Sequence, residues 1–335
     1  MISINMRILV CGLGSMGKRR LGIIKRLSPD ARICGVDPQK ERTEAVRDMT
    51  EMTDTDFFKA FKSFEPEAVF VCSPPLTHAD VVLFSLDHGA HTFSEINLTD
   101  QGYDNILHAA GRNKKIAFLS STFLYNKEIK WLIEKINKER KMGYRYHTGQ
   151  YLLDWHPWEN YQDFFVSKRE TNALREIMAI EFPWIFKAFG RIADYRCMAE
   201  KISQLNLGYP DMVHLILKHE TGSSGTITFD CVSVQAVRRL EVFNETAFFD
   251  WSGTPGTLKC YCPEKKLAET VPLYENIEKK QGYAKFIIEN PYVEEVETFF
   301  RLIRENKDFG AHGYDQDLKV IDFINRVEKE YEQSF

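Results

Sequence analysis

Gly12, Gly14 and Gly17 stand in the spacing GxGxxG, directly after the apolar run Arg7 to Cys11 and directly before the amphipathic stretch Met16 to Leu27. A strand that turns through glycines into a helix can hold phosphate. The first glycine permits the tight turn, the second lets backbone approach a pyrophosphate, and the third lets the helix pack closely on the strand. Ser15 and Met16 complete the turn, and the unpaired amides and dipole of the helix N-terminus favour the negative charge. Asp37 ends the next apolar run about 20 residues further on, where a carboxylate accepts hydrogen bonds from the hydroxyls of an adenosine ribose. Together these residues predict a bound dinucleotide. The acid favours NAD over NADP, although Lys40 and Arg42 follow closely enough to meet a 2′-phosphate.

The elements that position these groups follow from periodicity. Short β-branched runs at Arg7 to Cys11, Ala31 to Asp37, Ala68 to Cys72, Thr92 to Ser94 and Ile116 to Leu119 alternate with amphipathic stretches. These stretches are Met16 to Leu27, Lys40 to Asp48, Thr55 to Phe61, His78 to His88 and Gln101 to Arg112. That alternation predicts an α/β Rossmann domain, a doubly wound parallel sheet, over residues 1–121. Beyond it the pattern changes to a helix at Glu128 to Lys138, a strand at Arg145 to Leu152, an aromatic-rich loop to Arg169 and a helix at Leu174 to Phe189. Runs at Asp211 to Lys218, Gly225 to Val234, Arg239 to Asn244, Ala247 to Trp251 and Leu258 to Tyr261 predict an open, mainly antiparallel sheet. Helices at Tyr292 to Glu305 and Tyr314 to Glu330, separated by a turn at Asp308 to Gly313, close the chain. Residues 122–335 therefore read as an α+β domain for substrate binding and oligomerisation.

The segment Cys72-Ser-Pro-Pro-Leu-Thr-His78 resembles the S/T/N-P-P-x-x-H loop of the glucose-fructose oxidoreductase and inositol dehydrogenase family, Gfo/Idh/MocA. Further segments resemble that family in its order: Gly12 to Arg19 at the start, Arg239 to Ala247 in the second sheet, and Glu294 to Arg304 and Asp315 to Val327 at the end. The resemblance implies a two-domain, NAD-dependent oxidoreductase in which Ser73, Pro74 and His78 belong to the cofactor pocket. The segment Gly149 to Trp158, with Tyr161, resembles a subgroup associated with the synthesis of surface-polysaccharide and sialic-acid-type sugars. It implies a sugar or sugar-nucleotide substrate.

Two positions depart from the family pattern. Its catalytic lysine sits in Glu-Lys-Pro after the fourth strand, and the matching triplet here is Glu95-Ile96-Asn97. Its Asp and, four residues on, general-base His on a helix of the second domain are matched by Glu176 and Ile180, followed by Glu181. Removing hydride from a sugar alcohol requires somewhere for the hydroxyl proton to go. The aromatic-rich loop offers Asp154, His156, Glu159 and Tyr161, and the turn after it Lys168 and Arg169. His156 is the leading replacement, since an imidazole titrates near neutral pH; Lys168, Tyr161 and Glu181 are the further catalytic candidates. Glu95 is expected to orient the cofactor end of the pocket, and Tyr151, Trp155 and Trp158 to stack on sugar or base faces. The predicted reaction passes hydride between nicotinamide and a sugar hydroxyl or keto group. The alternative is a dinucleotide-binding protein without turnover, serving as a sensor or as a partner subunit.

Composition excludes other classes. The chain has 335 residues, 44% of them apolar and 27% charged, with a net charge of −4 and no basic run interleaved with aromatics. Nucleic acid is not an expected partner. No apolar stretch approaches the roughly 20 residues that span a bilayer, and Met1 to Val10 reads as a strand without a cleavage site, so the expected location is the cytoplasm. Of seven cysteines, Cys11, Cys34, Cys72 and Cys231 lie in apolar runs as small hydrophobes. Cys260 and Cys262 share a strand face without a second pair to complete a metal set, and no metal is expected. The broad second sheet, with Val213, Leu215 and Leu217 on one face, covers its own helices or pairs with another subunit in a homodimer or homotetramer.

Overall fold

Runs that are apolar on both faces need cover on both sides, and βαβ crossovers supply it. A computed structural model describes residues 6–139, 141–157, 159–279, 287–307 and 310–332. The expected strand beginning at Met1, the candidate Trp158 and the first two positions of the turn expected at 308–313 lie wholly or in part outside the described residues. The chain divides into two compact units, residues 1–125 with 292–319 and residues 126–291 with 320–335. The sequence draws a single boundary after residue 121; contacts group 292–319 with the first unit instead.

In the first unit the elements run β1 (Arg7–Cys11), α1 (Ser15–Leu27), β2 (Arg32–Val36), α2 (Lys40–Glu44), β3 (Met52–Asp54), α3 (Phe57–Phe64) and β4 (Ala68–Val71). They continue with α4 (His78–Asp87), β5 (His91–Ser94), α5 (Tyr103–Asn113) and β6 (Ala117–Leu119). All strands pair in parallel, in the order β3-β2-β1-β4-β5-β6. The order reverses between β1 and β4, which brings the loops after these two strands side by side at the switch point where doubly wound sheets bind ligands. On one face of the sheet Phe70, Phe93 and Phe118 stack across β4, β5 and β6, with ring centroids 4.8 and 5.0 Å apart. Phe299 meets Phe70 and Phe93 edge-on at 5.4 and 5.6 Å, which explains why its segment groups with this unit. The other face packs Leu9, Val69 and Val71 against Phe61, Val82, Leu86 and Ile106.

The second unit contains α6 (Lys127–Ile136), β7 (Gly143–Gly149), α7 (Ala173–Phe189), β8 (Ile192–Glu200), β9 (Met212–His219) and β10 (Ser224–Asp230). After these come β11 (Val237–Phe243), β12 (Phe248–Trp251), β13 (Lys259–Cys262) and β14 (Leu267–Thr270). Helices α8 (Asn290–Glu305) and α9 (Tyr314–Glu332) close the chain. The eight strands order as β14-β13-β12-β11-β7-β10-β9-β8, antiparallel except for the β7–β10 pair. Val213, Leu215 and Leu217 are buried on the covered face, where Phe182 of α7 meets Phe229 of β10 and Phe323 of α9. The opposite face leaves Ile216 62% and Met198 56% exposed.

Glycine geometry in the first unit generates a test. A Cβ on Gly17 would stand 1.8 Å from the carbonyl oxygen of Gly12, whereas one on Gly14 would meet only Arg42 Nη1, at 3.7 Å. Gly17→Ala is expected to lower stability by about 1–3 kcal/mol, since backbone must move apart. Gly14→Ala is expected to stay within about 0.5 kcal/mol of the parent. Urea unfolding curves of the two variants check this, and equal midpoints would contradict the packing described.

Candidate cofactor site and catalytic residues

The glycine turn is braced from below. Gly12 has φ of +90° and donates its amide to Val36 O at 2.8 Å, and a Cβ there would meet the Cys72–Ser73 backbone at 2.5 Å. Only glycine tolerates both conditions. Gly14 caps α1 without a side-chain hydrogen bond, no acidic residue stands in the first turn, and Gly14, Ser15 and Met16 are half-exposed. Asp37 is buried, its Oδ2 accepting the Leu13 amide at 2.8 Å and its Oδ1 the Gln39 amide at 2.9 Å. The carboxylate is thus anchored beside the glycine turn at the end of β2. Arg42 Nη1 lies 3.6 Å from Asp37 Oδ2. The open space over Gly14, an uncapped helix start and an anchored acid fit a dinucleotide's pyrophosphate and ribose.

The neighbouring loop is rigid. Ser73 Oγ and Thr77 Oγ1 are 2.7 Å apart, and Pro74 holds φ at −58°. His78 is 2% exposed and both ring nitrogens are engaged: Nε2 donates to Ser73 O at 2.7 Å, and Nδ1 lies 2.7 Å from the Asn97 side chain. Burial lowers its pKa even though Asn97 and Ser73 work in the opposite direction. The Asn97 atom nearest Nδ1 is Oδ1, and Ser94 Oγ lies 3.3 Å from the same nitrogen. His78 supports the Ser73–Pro74 loop from inside the unit. Asn97 is its side-chain partner.

Glu95 belongs to a buried ionic cluster that sequence reading did not anticipate. Arg20 has no exposed side-chain surface and donates to Glu95 Oε1 at 2.6 Å, to Glu295 Oε2 at 2.7 Å and to Ser120 Oγ at 3.2 Å. Its guanidinium also lies over the Phe93 ring at 4.6 Å. Glu295 accepts further bonds from Ser120 Oγ, the Ser121 amide and Thr122 Oγ1. Burial opposes the charge on Arg20, but Glu95 and Glu295 outweigh it and hold the guanidinium above its ordinary range. One cation faces two carboxylates, and burial raises the Glu295 carboxyl against the pull of Arg20. Arg20 has no exposed side-chain surface from which to reach a ligand. A periodicity signal was present: Arg20 lies three residues after Gly17 and four before Ile24, on the buried face of α1.

The second unit holds the catalytic candidates in unlike environments. His156 Nδ1 pairs with Glu159 Oε1, and its ring lies 4.3 Å from that of Phe164. Tyr161 Oη accepts the Asn206 amide at 3.0 Å. His156 and Tyr161, with Trp155, Glu159, Asn160 and Phe164, line an open depression of about 220 Å³. Lys168 is exposed, and neighbouring Arg169 pairs with Glu332 at 2.7 Å. Glu181 is fully buried and saturated: Oε1 pairs with Arg238 at 2.7 Å, while Oε2 accepts from Tyr146 at 2.7 Å and Trp184 at 2.6 Å. Both its oxygens are committed to structure. Glu176, five residues earlier on the same helix, has a shielded Oε2 with no hydrogen-bond partner. Among the described residues no group of three or more His, Cys, Asp or Glu is arranged to hold a metal, and no helix is long and apolar enough to cross a membrane.

A family model described as an oxidoreductase family with an NAD-binding Rossmann fold matches residues 6–120. No curated protein matches the chain. Levoglucosan dehydrogenase in complex with NADH and levoglucosan superposes with a TM-score of 0.79 at 13% identity, covering 98% of both chains. UDP-N-acetylglucosamine 3-dehydrogenase GnnA from Acidithiobacillus ferrooxidans gives 0.75 at 15% identity, covering 97% of each. An oxidoreductase domain protein from Kribbella flavida gives 0.81 at 16%, covering 99% of this chain and 98% of its own. At such identities the shared property is the fold.

The ionic cluster yields a prediction. Arg20→Met leaves two buried carboxylates without their cation and is expected to cost about 3–5 kcal/mol. Adding Glu95→Gln and Glu295→Gln should recover much of that loss. Thermal unfolding of the single and triple variants checks it; a single variant as stable as the parent would contradict the buried pairing.

Proposed function

Over residues 6–120 the chain carries the NAD-binding Rossmann fold of the Gfo/Idh/MocA oxidoreductase family, and from that premise we propose that it is an NAD-dependent dehydrogenase or reductase of a sugar or sugar-nucleotide. The reading rests first on the anchored Asp37 beside an open Gly14 and an uncapped helix start. The amides of Gly14, Ser15 and Met16 would hold the pyrophosphate, Asp37 the adenosine ribose, and the Ser73–Pro74 loop the nicotinamide end beside Glu95. With Asp37 in place a 2′-phosphate is repelled, and Arg42 is already drawn to that acid. The bound nicotinamide supplies hydride chemistry, and the protein supplies position and proton management. Sugar dehydrogenases among the similar structures support the substrate class. The depression containing Trp155, His156 and Tyr161 offers an aromatic face and polar groups for a sugar ring.

Calorimetry should show NADH binding at least tenfold tighter than NADPH, and Gly14→Phe should abolish it while the fold persists. Purified enzyme with NAD and a panel of sugars and sugar-nucleotides should then generate NADH absorbance. NADH binding without turnover on any of them would favour a non-catalytic dinucleotide sensor or partner subunit.

The same reading includes cytoplasmic residence and self-association through the uncovered face of the second sheet. That face carries exposed Ile216 and Met198 beside charges of both signs, including the Arg239–Asp250 and Arg145–Glu241 pairs. A patch that mixes both signs with apolar residues can meet a second copy of itself about a twofold axis. Ile216→Asp with Met198→Asp should lower the mass measured by sedimentation; a parent that already sediments as a monomer would remove this part of the proposal.

A further inference from the structure

The loop after β4 is fixed from inside by a chain of buried polar groups. Ser73 O accepts from His78 Nε2 at 2.7 Å, and Asn97 Oδ1 lies 2.7 Å from His78 Nδ1. The Tyr103 and Tyr314 hydroxyls both face Asn97, and the two rings meet edge-on at 4.9 Å. Tyr103 in turn donates to Asp317 Oδ2 at 2.5 Å, and His312 Nε2 lies 2.9 Å from Asp317 Oδ1. His78, Asn97, Tyr103, Tyr314, Asp317 and His312 are all buried, and all belong to the first unit. Polar groups gathered away from water are costly unless they meet partners, and a connected network fixes one arrangement of the elements it joins. Asn97 meets both the His78 ring and the tyrosines, so it links the loop to α5 and to the start of α9. The outer side of the loop stays open, with Ser73 half-exposed and Pro74 exposed.

Sheet order assigns this loop to one half of the cofactor. Asp37 follows β2, on one side of β1, and β4 lies on the other side. A dinucleotide with its adenosine ribose on Asp37 and its pyrophosphate on the turn after β1 runs across the switch point, so its second half reaches the loop after β4. Ser73 borders the glycine turn, since a Cβ on Gly12 would meet its amide nitrogen at 2.5 Å. We propose that Asn97 is a positioning residue for the nicotinamide half of the cofactor. Through the His78 ring it fixes Ser73 and Pro74 where that half docks, and it takes no part in holding adenosine or pyrophosphate. The inference rests on the cofactor placement proposed above, which Asp37 and Gly14 carry independently of Asn97. Without the Asn97 amide, the neighbour left to His78 Nδ1 is Ser94 Oγ at 3.3 Å, a hydroxyl that already donates to Glu95 O. The ring then loses its fixed orientation, and Ser73 O loses its fixed donor.

Two ligands separate the halves. NADH carries both, whereas ADP has the adenosine ribose and the pyrophosphate but lacks the nicotinamide riboside. Calorimetry on the full-length protein should show Asn97→Ala weakening NADH about tenfold, the effect of one lost buried hydrogen bond, with ADP affinity within about twofold of the parent. The fluorescence of bound NADH, which reports the surroundings of its nicotinamide ring, should move toward that of the free dinucleotide. Tyr103→Phe keeps the ring against Tyr314 and removes the hydroxyl facing Asn97. It should show the same selective loss to a smaller degree, and it carries the test if Asn97→Ala does not fold. Equal losses of NADH and ADP would mark a general loosening of the unit, and parental NADH affinity and fluorescence in Asn97→Ala would leave the residue without this role. Either result overturns the inference and spares the cofactor placement. A parent that binds neither ligand would instead overturn the placement itself, and this inference with it.

Discussion

A guanidinium with no exposed atom, gripped by two carboxylates, is the interaction around which the first unit is organised. Arg20 comes from the helix that begins at the glycine turn, Glu95 from the end of β5, Ser120 from the end of β6 and Glu295 from α8. Its hydrogen bonds therefore tie the C-terminal ends of two strands and a distant helix to the element that carries the phosphate-facing amides. A cluster of this kind costs desolvation, and apolar substitution of the whole set can be as stable. What it supplies is register: the planar fork accepts its partners in few orientations, so α1 cannot slide without breaking several bonds together.

The cation that faces Glu95 is Arg20, which has no exposed side-chain surface. Asn97 lies 2.7 Å from the buried ring of His78, so Arg20 and Asn97 both act as internal braces next to the Ser73–Pro74 loop. The loops after β1 and β4 are therefore held from beneath by neutral and ionic hydrogen bonds, and their outer surfaces remain open.

Much of this architecture was legible in sequence because its signals are local. The GxGxxG spacing, Asp37 and the Ser73–Pro74 loop stand where the parallel order places them, and β1 is read to the residue. The elements that escaped, β3, β8 and β14, are edge strands. β3 has three half-buried residues, β14 is wholly exposed, and β8 buries only Ile192 fully, its later residues alternating between half-buried and exposed, so none carries the buried apolar run that marks the inner strands. The boundary after residue 121 missed the return of 292–319 because that grouping depends on Phe299 meeting rings more than 170 positions away. Arg20, Glu181 and Glu295 were charged residues at buried helical phase, a signal that marks a partnered charge without naming its partner.

Glu176 and Glu181 show why residue type and spacing do not settle a catalytic role. They lie on one helix, five positions apart, and share a side chain. Glu181 is surrounded by a guanidinium, a phenol and an indole N–H, and both its oxygens accept hydrogen bonds from them. Glu176 has a shielded Oε2 with no hydrogen-bond partner, and desolvation raises its carboxyl to about 7. The difference comes from what the rest of the unit brings to each carboxyl: β7 and β11 deliver Tyr146 and Arg238 to one, and Oε2 of the other is left without a partner among the described residues. An imidazole reaches a working pKa by its intrinsic chemistry, whereas a carboxyl must be desolvated to reach it, and the first turns of α7 supply that desolvation.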